Sequence, residues 1–253
     1  MKPHKKSKSL ISFENVSFWY DASKKIIEHF SWRLQAGESW AILGPSGCGK
    51  TTLLHLMAGI RQPISGALYF DGQLISKPHQ QIGLMLQDYG LLPWYTAERN
   101  IQLGLEIRHL PAHEIRQRTD EWLEKLEISH IRQQYPSQIS GGQRQRVALA
   151  RLLALQANVL LLDEPLSAVD ELTREHLQKR LWELNRGTGA TTVMVTHNIE
   201  EAVLLSDQIM IITDYAPISE YQVLRTPFSA TMPKRYYPEF IAFCKQIREI
   251  VSV

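Results

Sequence analysis

Gly44-Pro45-Ser46-Gly47-Cys48-Gly49-Lys50-Thr51 is the stretch whose reading decides the fold. It fits the pattern G-x-x-x-x-G-K-[ST]. A short apolar run, Trp40-Ala41-Ile42-Leu43, leads into it, and Thr52-Leu53-Leu54-His55-Leu56-Met57-Ala58 follows with the look of a helix. Strand, glycine-rich loop and helix N-terminus in that order make an anion site. The glycines let the backbone wrap closely around a phosphate. The loop amides then point inward, where a helix start carries positive partial charge. Lys50 adds a full charge for β- and γ-phosphates, and the Thr51 hydroxyl can hold Mg²⁺. Gly44, Pro45, Ser46, Gly47, Cys48, Gly49, Lys50, Thr51 and Thr52 are therefore the candidate phosphate-binding residues. A cysteine at such a helix start is expected to have a lowered thiol pKa, which makes Cys48 a candidate reactive thiol.

Further along, Val159-Leu160-Leu161-Leu162 ends in Asp163-Glu164. Four apolar residues without polar alternation fit a strand covered on both faces. Asp163 then falls at the C-terminal edge of the sheet beside the phosphate loop, where it can bind Mg²⁺ directly or through water. Glu164, next in line, is placed to orient or deprotonate an attacking water.

Working outward, Leu10 to Tyr20 and Ile26 to Leu34 read as strands, and an Ala36-Gly37 turn precedes the strand that feeds the loop. Ala67-Leu68-Tyr69-Phe70 runs into an Asp71-Gly72 turn. Ile82 to Leu86 is a buried strand ending at Gln87. From Asp88 to Leu155 the pattern is helical, with Ile115, Trp122, Leu123 and Leu126 on one apolar stripe. Glu171 to Arg186 is an amphipathic helix that Gly187 should stop. Thr192 to Val195 is a buried strand; a helix follows, with Asn198 and Glu201 at capping-box spacing. Gln208 to Ile212 is the last core strand. Beyond Tyr215 the sequence is mixed and punctuated by proline. It ends in a helix carrying Phe240, Cys244, Ile247 and Val251 on one face, a face that would pack on the body or meet a partner. An α/β sequence on both sides of a helical stretch implies a parallel-sheet core with a helical insertion.

Composition limits the rest. A chain of 253 residues with 44% hydrophobic content can bury a sizeable core in one large α/β domain or two small ones. A net charge of +2 is too small to argue for a nucleic-acid partner. Lys2, Lys5, Lys6 and Lys8 read as a solvated tail, with weak contact to an anionic membrane as the sharper alternative. Two cysteines, Cys48 and Cys244, suit a reducing cytosol. No apolar run approaches the ~20 residues that span a bilayer, and no signal peptide is visible. Any membrane role is expected to come through a partner chain.

The family is suggested by the segment between the two phosphate-linked motifs. Ile139-Ser140-Gly141-Gly142-Gln143-Arg144-Gln145-Arg146 resembles the signature motif of ABC transporter ATPases, usually written LSGGQ. Val147-Ala148-Leu149-Ala150-Arg151 follows it as in that family, and Ile139 stands where the family usually has Leu. Other landmarks are similar and fall in the family's order. Tyr20 resembles the aromatic residue that stacks on adenine, with Phe18 or Trp19 as alternatives. Gln87 resembles the Q-loop glutamine, Ser167-Ala168-Val169-Asp170 the D-loop, and His197 the switch histidine that contacts the γ-phosphate.

The resemblance implies a P-loop NTPase fold: a RecA-like parallel-sheet core, an antiparallel β subdomain and a helical subdomain inserted at about residues 88–155. An ATPase domain of residues 1–217 would be followed by a C-terminal extension, 218–253, ending in a short helix. It implies ATP hydrolysis with Glu164, His197 and Gln87 as catalytic residues and Thr51, Gln87 and Asp163 around Mg²⁺. Ser140, Gly141, Gly142, Gln143 and Asp170 would act across a head-to-tail homodimer, closing on ATP held by the partner copy. The helical insertion would dock on a multi-span permease at the cytoplasmic face of the membrane, with a solute-binding protein as an indirect partner. Gln87-Asp88-Tyr89-Gly90-Leu91-Leu92-Pro93-Trp94 and the ending from Pro238-Glu239-Phe240-Ile241 to Ile247-Arg248-Glu249-Ile250 are similar to the ATPases of nitrate, sulfonate, taurine and bicarbonate importers. The alternatives are an importer of a thiamine pyrimidine precursor, an exporter ATPase and a soluble ABC protein without a permease.

Overall fold

The computed structural model describes residues 9–21, 24–167, 171–213, 217–228 and 235–251. Two sheets form the framework. The first is antiparallel, in the order β2 (Lys25–Leu34), β1 (Ile11–Trp19), β4 (Ser65–Phe70), β5 (Gln73–Leu74). The second has six strands in the order β10 (Gln222–Arg225), β9 (Gln208–Ile211), β3 (Ser39–Leu43), β8 (Thr191–Val195), β7 (Val159–Asp163), β6 (Ile82–Met85). Its pairs from β9 to β6 are parallel, and β10 joins β9 antiparallel at the edge.

The central strands carry no polar alternation because both of their faces are buried. The period of two divides them between two cores. Trp40, Ile42, Val159, Leu161, Val193, Val195 and Met210 face the antiparallel sheet and α1 (Lys50–Met57). Ala41, Leu43, Leu160, Leu162, Met194, Ile209 and Ile211 face the helices on the other side. In the first core Phe13 meets Phe30 edge-on at 5.4 Å and Trp32 meets Trp40 at 5.1 Å. Each large apolar side chain buried there contributes about 1.5–3 kcal/mol.

Between β6 and β7 the chain runs through α2 (Ala97–Ile107), α3 (Ala112–Lys125) and α4 (Gly141–Ala154), with two short 3₁₀ turns before α4. Trp122 and Leu123 of α3 are buried, and Leu126 at its C-cap joins the same cluster, as the apolar stripe predicts. After β7 come α5 (Glu171–Thr188) and β8, then α6 (Ile199–Leu205) and β9, then β10 and α7 (Pro238–Val251). On α7, Phe240, Cys244 and Ile247 are buried against the body, whereas Val251 is 38% exposed and lies outside the stripe's contact. No helix among the described residues is long and apolar enough to cross a membrane.

Two local expectations are corrected. Helix α5 runs through Gly187 and ends one turn position later, where Gly189 takes a left-handed φ of 64°. A glycine inside a helix costs about 1 kcal/mol and need not end it; the left-handed residue does. At α6 only half of the capping box forms. The Asn198 side chain accepts from the Glu201 N–H, but the Glu201 carboxylate turns away and accepts from the Thr196 hydroxyl at 2.9 Å. Strand β10 has no forerunner in the sequence reading. It is four residues long and mostly exposed, so it carries neither an apolar run nor a clean alternation.

Candidate active site

The parallel strands end their C-terminal edges together, and the functional side chains lie on the loops that leave that edge. From β3 the chain enters the glycine loop. Gly49 caps α1 in a left-handed conformation, φ 115°, and a Cβ there would lie 2.7 Å from the Ile26 Cγ2. A Cβ at Gly44 would lie 2.8 Å from the Ile212 carbonyl oxygen. Both positions therefore exclude a side chain. The Lys50 ammonium donates to the Gly44 oxygen at 2.9 Å and the Pro45 oxygen at 2.7 Å, so it lies within the curl of the loop. The remaining loop residues, Ser46 and Gly47, are exposed at its crest. The first N–H groups of α1 have no intrahelical acceptor and are aimed into the curl.

Cys48 is not the activated thiol that its position predicts. It is 0% exposed, and burial pushes its pKa up, only partly opposed by the Lys50 charge and local backbone N–H groups. The helix start attracts negative charge, but the sulfur is enclosed within the core between the sheets, with the Lys50 ammonium 3.9 Å away.

Thr51 donates its hydroxyl to the Asp163 carboxylate across the gap between α1 and β7. Asp163 is 2% exposed, and burial raises its pKa; the Thr51 hydrogen bond and the charges of His55 and Lys50 lower it, while Glu164 raises it. A buried carboxylate beside a hydroxyl is the kind of group that suits a hard cation. The donors are all oxygen and combine one carboxylate with one hydroxyl, which fits Mg²⁺ better than a softer metal.

Glu164 stands just beyond the strand with φ 49°. Its two carboxylate oxygens face two different loops: Oε2 is 3.4 Å from Gln87 Nε2, at the end of β6, and Oε1 is 3.4 Å from His197 Nδ1, at the end of β8. The left-handed turn lifts the carboxylate off the strand axis toward these neighbours. His197 is exposed but its loop is fixed, because Thr196 accepts from the Asn198 N–H at 3.0 Å and donates to buried Glu201. Gln87, Glu164 and His197 are thus brought together from three strand ends.

Of the three aromatics at the end of β1, Phe18 is buried, Trp19 is half-buried and Tyr20 is 55% exposed. The Tyr20 hydroxyl lies 3.1 Å from the Thr52 hydroxyl, which fixes the ring beside the first turn of α1. Phe18 meets its edge at 5.0 Å and the Arg61 guanidinium lies 5.4 Å from its centroid.

Ser140 caps α4 with a full capping box: its hydroxyl accepts from the Gln143 N–H at 3.2 Å, and the Gln143 side chain accepts from the Ser140 N–H at 2.9 Å. This leaves the amides of Gly141 and Gly142 facing outward. No hydrogen bond or ion pair among the described residues joins 140–143 to 44–52. Asp170 lies outside the described residues.

Several supporting residues had no role assigned from the sequence. Asn100, fully buried, accepts from the Leu92 N–H at 2.8 Å and donates to the oxygens of Leu92, Tyr95 and Thr96. Arg151 donates to the carbonyls of Tyr89 and Gly90. Together they set the loop that leaves Gln87. Burial raises the pKa of the Tyr89 phenol, which hydrogen-bonds Ser167 after Glu164. Gln145, also buried, donates to the Pro165 oxygen and so ties α4 to the same segment. Each is an ordinary polar residue in a helix or loop until its partner is known.

A glycine loop with an inward lysine, a buried carboxylate paired to the loop threonine, and a second capped anion site define an ATP-binding cassette ATPase. The family model described as "ABC transporter" matches residues 27–167. The chain is 41% identical over 204 residues to the nitrate import ATP-binding protein NrtD of Synechococcus elongatus, covering 80% of this chain and 74% of that one. It is 36% identical over 245 residues to the taurine import ATP-binding protein TauB of Chromobacterium violaceum, covering 94% of each. Among solved structures, the ATP-binding cassette MJ0796, a dimer in a post-hydrolysis state bound to ADP and Pi, superposes with a TM-score of 0.77 at 29% identity over 85% of this chain and 99% of that one. The chain belongs to the ABC transporter family, and it binds and hydrolyses ATP.

Proposed function

We propose that this chain powers an importer of a small anion of the nitrate, sulfonate, taurine or bicarbonate type. It would work as a head-to-tail homodimer docked on a multi-span permease at the cytoplasmic face of the membrane, with a solute-binding protein delivering the cargo. The relatives named for nitrate and taurine import support the substrate class. In this reading residues 1–217 are the ATPase domain, with residues 88–155 as the helical unit that meets the permease, and 218–253 are an extension.

The observation that carries the mechanism is the meeting of Gln87 and His197 on the two oxygens of Glu164. Lys50 and the loop amides hold the β- and γ-phosphates and Tyr20 stacks on adenine; Thr51, Asp163 and Gln87 would hold Mg²⁺, which would supply neutralising charge to the phosphate oxygens. Glu164 accepts the proton of the attacking water, and Gln87 and His197 keep its carboxylate aimed. Ser140 with the Gly141 and Gly142 amides, from the second copy, supplies the positive field across the γ-phosphate. Hydrolysis removes that attraction and the dimer opens.

Glu164→Gln tests the assignment. Turnover should fall about 10²-fold or more, because only the proton acceptor is lost, while equilibrium binding of ATP is retained. Hydrolysis near the wild-type rate would remove Glu164 from the role. For the substrate class, the chain should be isolated with the membrane protein it brings down and its ATPase rate compared with nitrate, taurine, an alkanesulfonate and bicarbonate supplied on the far side.

A further inference from the structure

The segment beyond β9 is attached to the parts of the molecule that carry the hydrolytic residues. Ile218 pairs with Ile27 and its N–H donates to the Ile26 oxygen at 2.8 Å. Its side chain would touch a Cβ placed at Gly49. Further on, Arg235 stands between two helices. Toward α5 its guanidinium is 3.1 Å from Glu171, 3.7 Å from Glu175 and 2.6 Å from the Gln178 oxygen; toward α6 it is 3.7 Å from Glu200. Three residues later α7 begins and buries Phe240, Cys244 and Ile247 in the core that includes Ala202 and Val203 of α6.

The two helices joined in this way begin just after the hydrolytic groups. Glu171 is the first residue of α5, seven positions after Glu164, and Glu200 lies in the first turn of α6, three positions after His197. The contact between Glu164 and His197 is 3.4 Å, long for a hydrogen bond, and among the described residues the His197 ring makes no other side-chain hydrogen bond, though its charge also acts on Glu201. The backbones of the two residues are set by the pairing of β7 with β8, where the Glu164 N–H donates to the Val195 oxygen at 2.9 Å, so what the starts of α5 and α6 can adjust is the approach of the His197 ring to the Glu164 carboxylate. From this we infer that Arg235 is a positioning residue: it clamps the first turns of α5 and α6 and so sets the approach of the His197 ring to the Glu164 carboxylate during hydrolysis. Single exposed ion pairs are weak, but one planar guanidinium with acceptors on two elements fixes their relative placement. The C-terminal segment thereby has a task in turnover, and this inference rests on the roles proposed above for Glu164 and His197.

The test uses the full-length chain and steady-state ATP hydrolysis. Arg235→Ala should lower kcat about tenfold, equivalent to ~1.4 kcal/mol, and leave the KM for ATP within about twofold, because the phosphate loop is untouched. Arg235→Lys should recover part of the loss, since a lysine keeps the charge without the fork. Glu200→Gln should lower kcat in the same sense, and the double variant should lose no more than Arg235→Ala alone. Glu200→Gln leaves the α5 partners in place, so it remains informative if Arg235→Ala folds poorly. Turnover that depends on Glu164 yet ignores both substitutions, or equal losses in kcat and affinity without rescue by lysine, overturns this inference alone. Turnover that ignores Glu164→Gln overturns the proposed roles and this inference with them.

Discussion

At the scale of single residues, the site shows how position and burial compete. Cys48 lies at a helix start, where charge favours the thiolate, yet its sulfur is enclosed by the core and its pKa is raised. Burial outweighs the helix field because desolvating the thiolate costs more than a partial charge returns. Native protein treated with iodoacetamide at neutral pH should leave Cys48 unmodified, with or without ATP, and modify it only after unfolding in urea. Peptide mass spectrometry reads both states, and ready labelling of the folded chain would contradict the placement of the sulfur. The motif gave the loop's location, its glycines and its lysine from sequence alone. It could not give the direction of one side chain, which is set by strands β1, β2 and β9 far away along the chain.

At the scale of elements, the route from β6 into α2 is held by the Asn100 amide together with Arg151. Asn100 makes four hydrogen bonds with the backbone of Leu92, Tyr95 and Thr96, while the neighbouring Trp94 stays 66% exposed. Asn100→Ala would leave buried backbone groups without partners and should destabilise the chain by about 2–4 kcal/mol, measured as a lower urea midpoint. An unchanged midpoint would mean that the loop is held by Arg151 alone. The central strands and the helix after the signature segment were legible because unbroken apolar runs and a capping residue are local signals. The end of α5, the missing half of the α6 capping box and strand β10 were not. In each case a tertiary partner decides: the turn at Gly189, the Thr196 hydroxyl, and the free edge of β9. The convergence of Gln87, Glu164 and His197 could be expected only from family resemblance, since the residues are far apart in sequence and meet through strand order.

At the scale of the whole molecule, the proposed function requires one copy to hold halves of two different sites. The phosphate loop with its carboxylates lies at the ends of the parallel strands, and the capped start of α4 presents the Gly141 and Gly142 amides elsewhere. A second chain in head-to-tail arrangement would give each half its complement, and that proposed arrangement is the central claim. The most direct measurement is sedimentation velocity of the Glu164→Gln protein with and without Mg²⁺ and ATP, repeated on the same protein carrying Ser140→Arg. The account predicts a monomer without nucleotide, a dimer with ATP, and no ATP-dependent dimer once Ser140→Arg crowds the second anion site. A protein that remains monomeric at saturating ATP, or that dimerises equally well with Ser140→Arg, would contradict it.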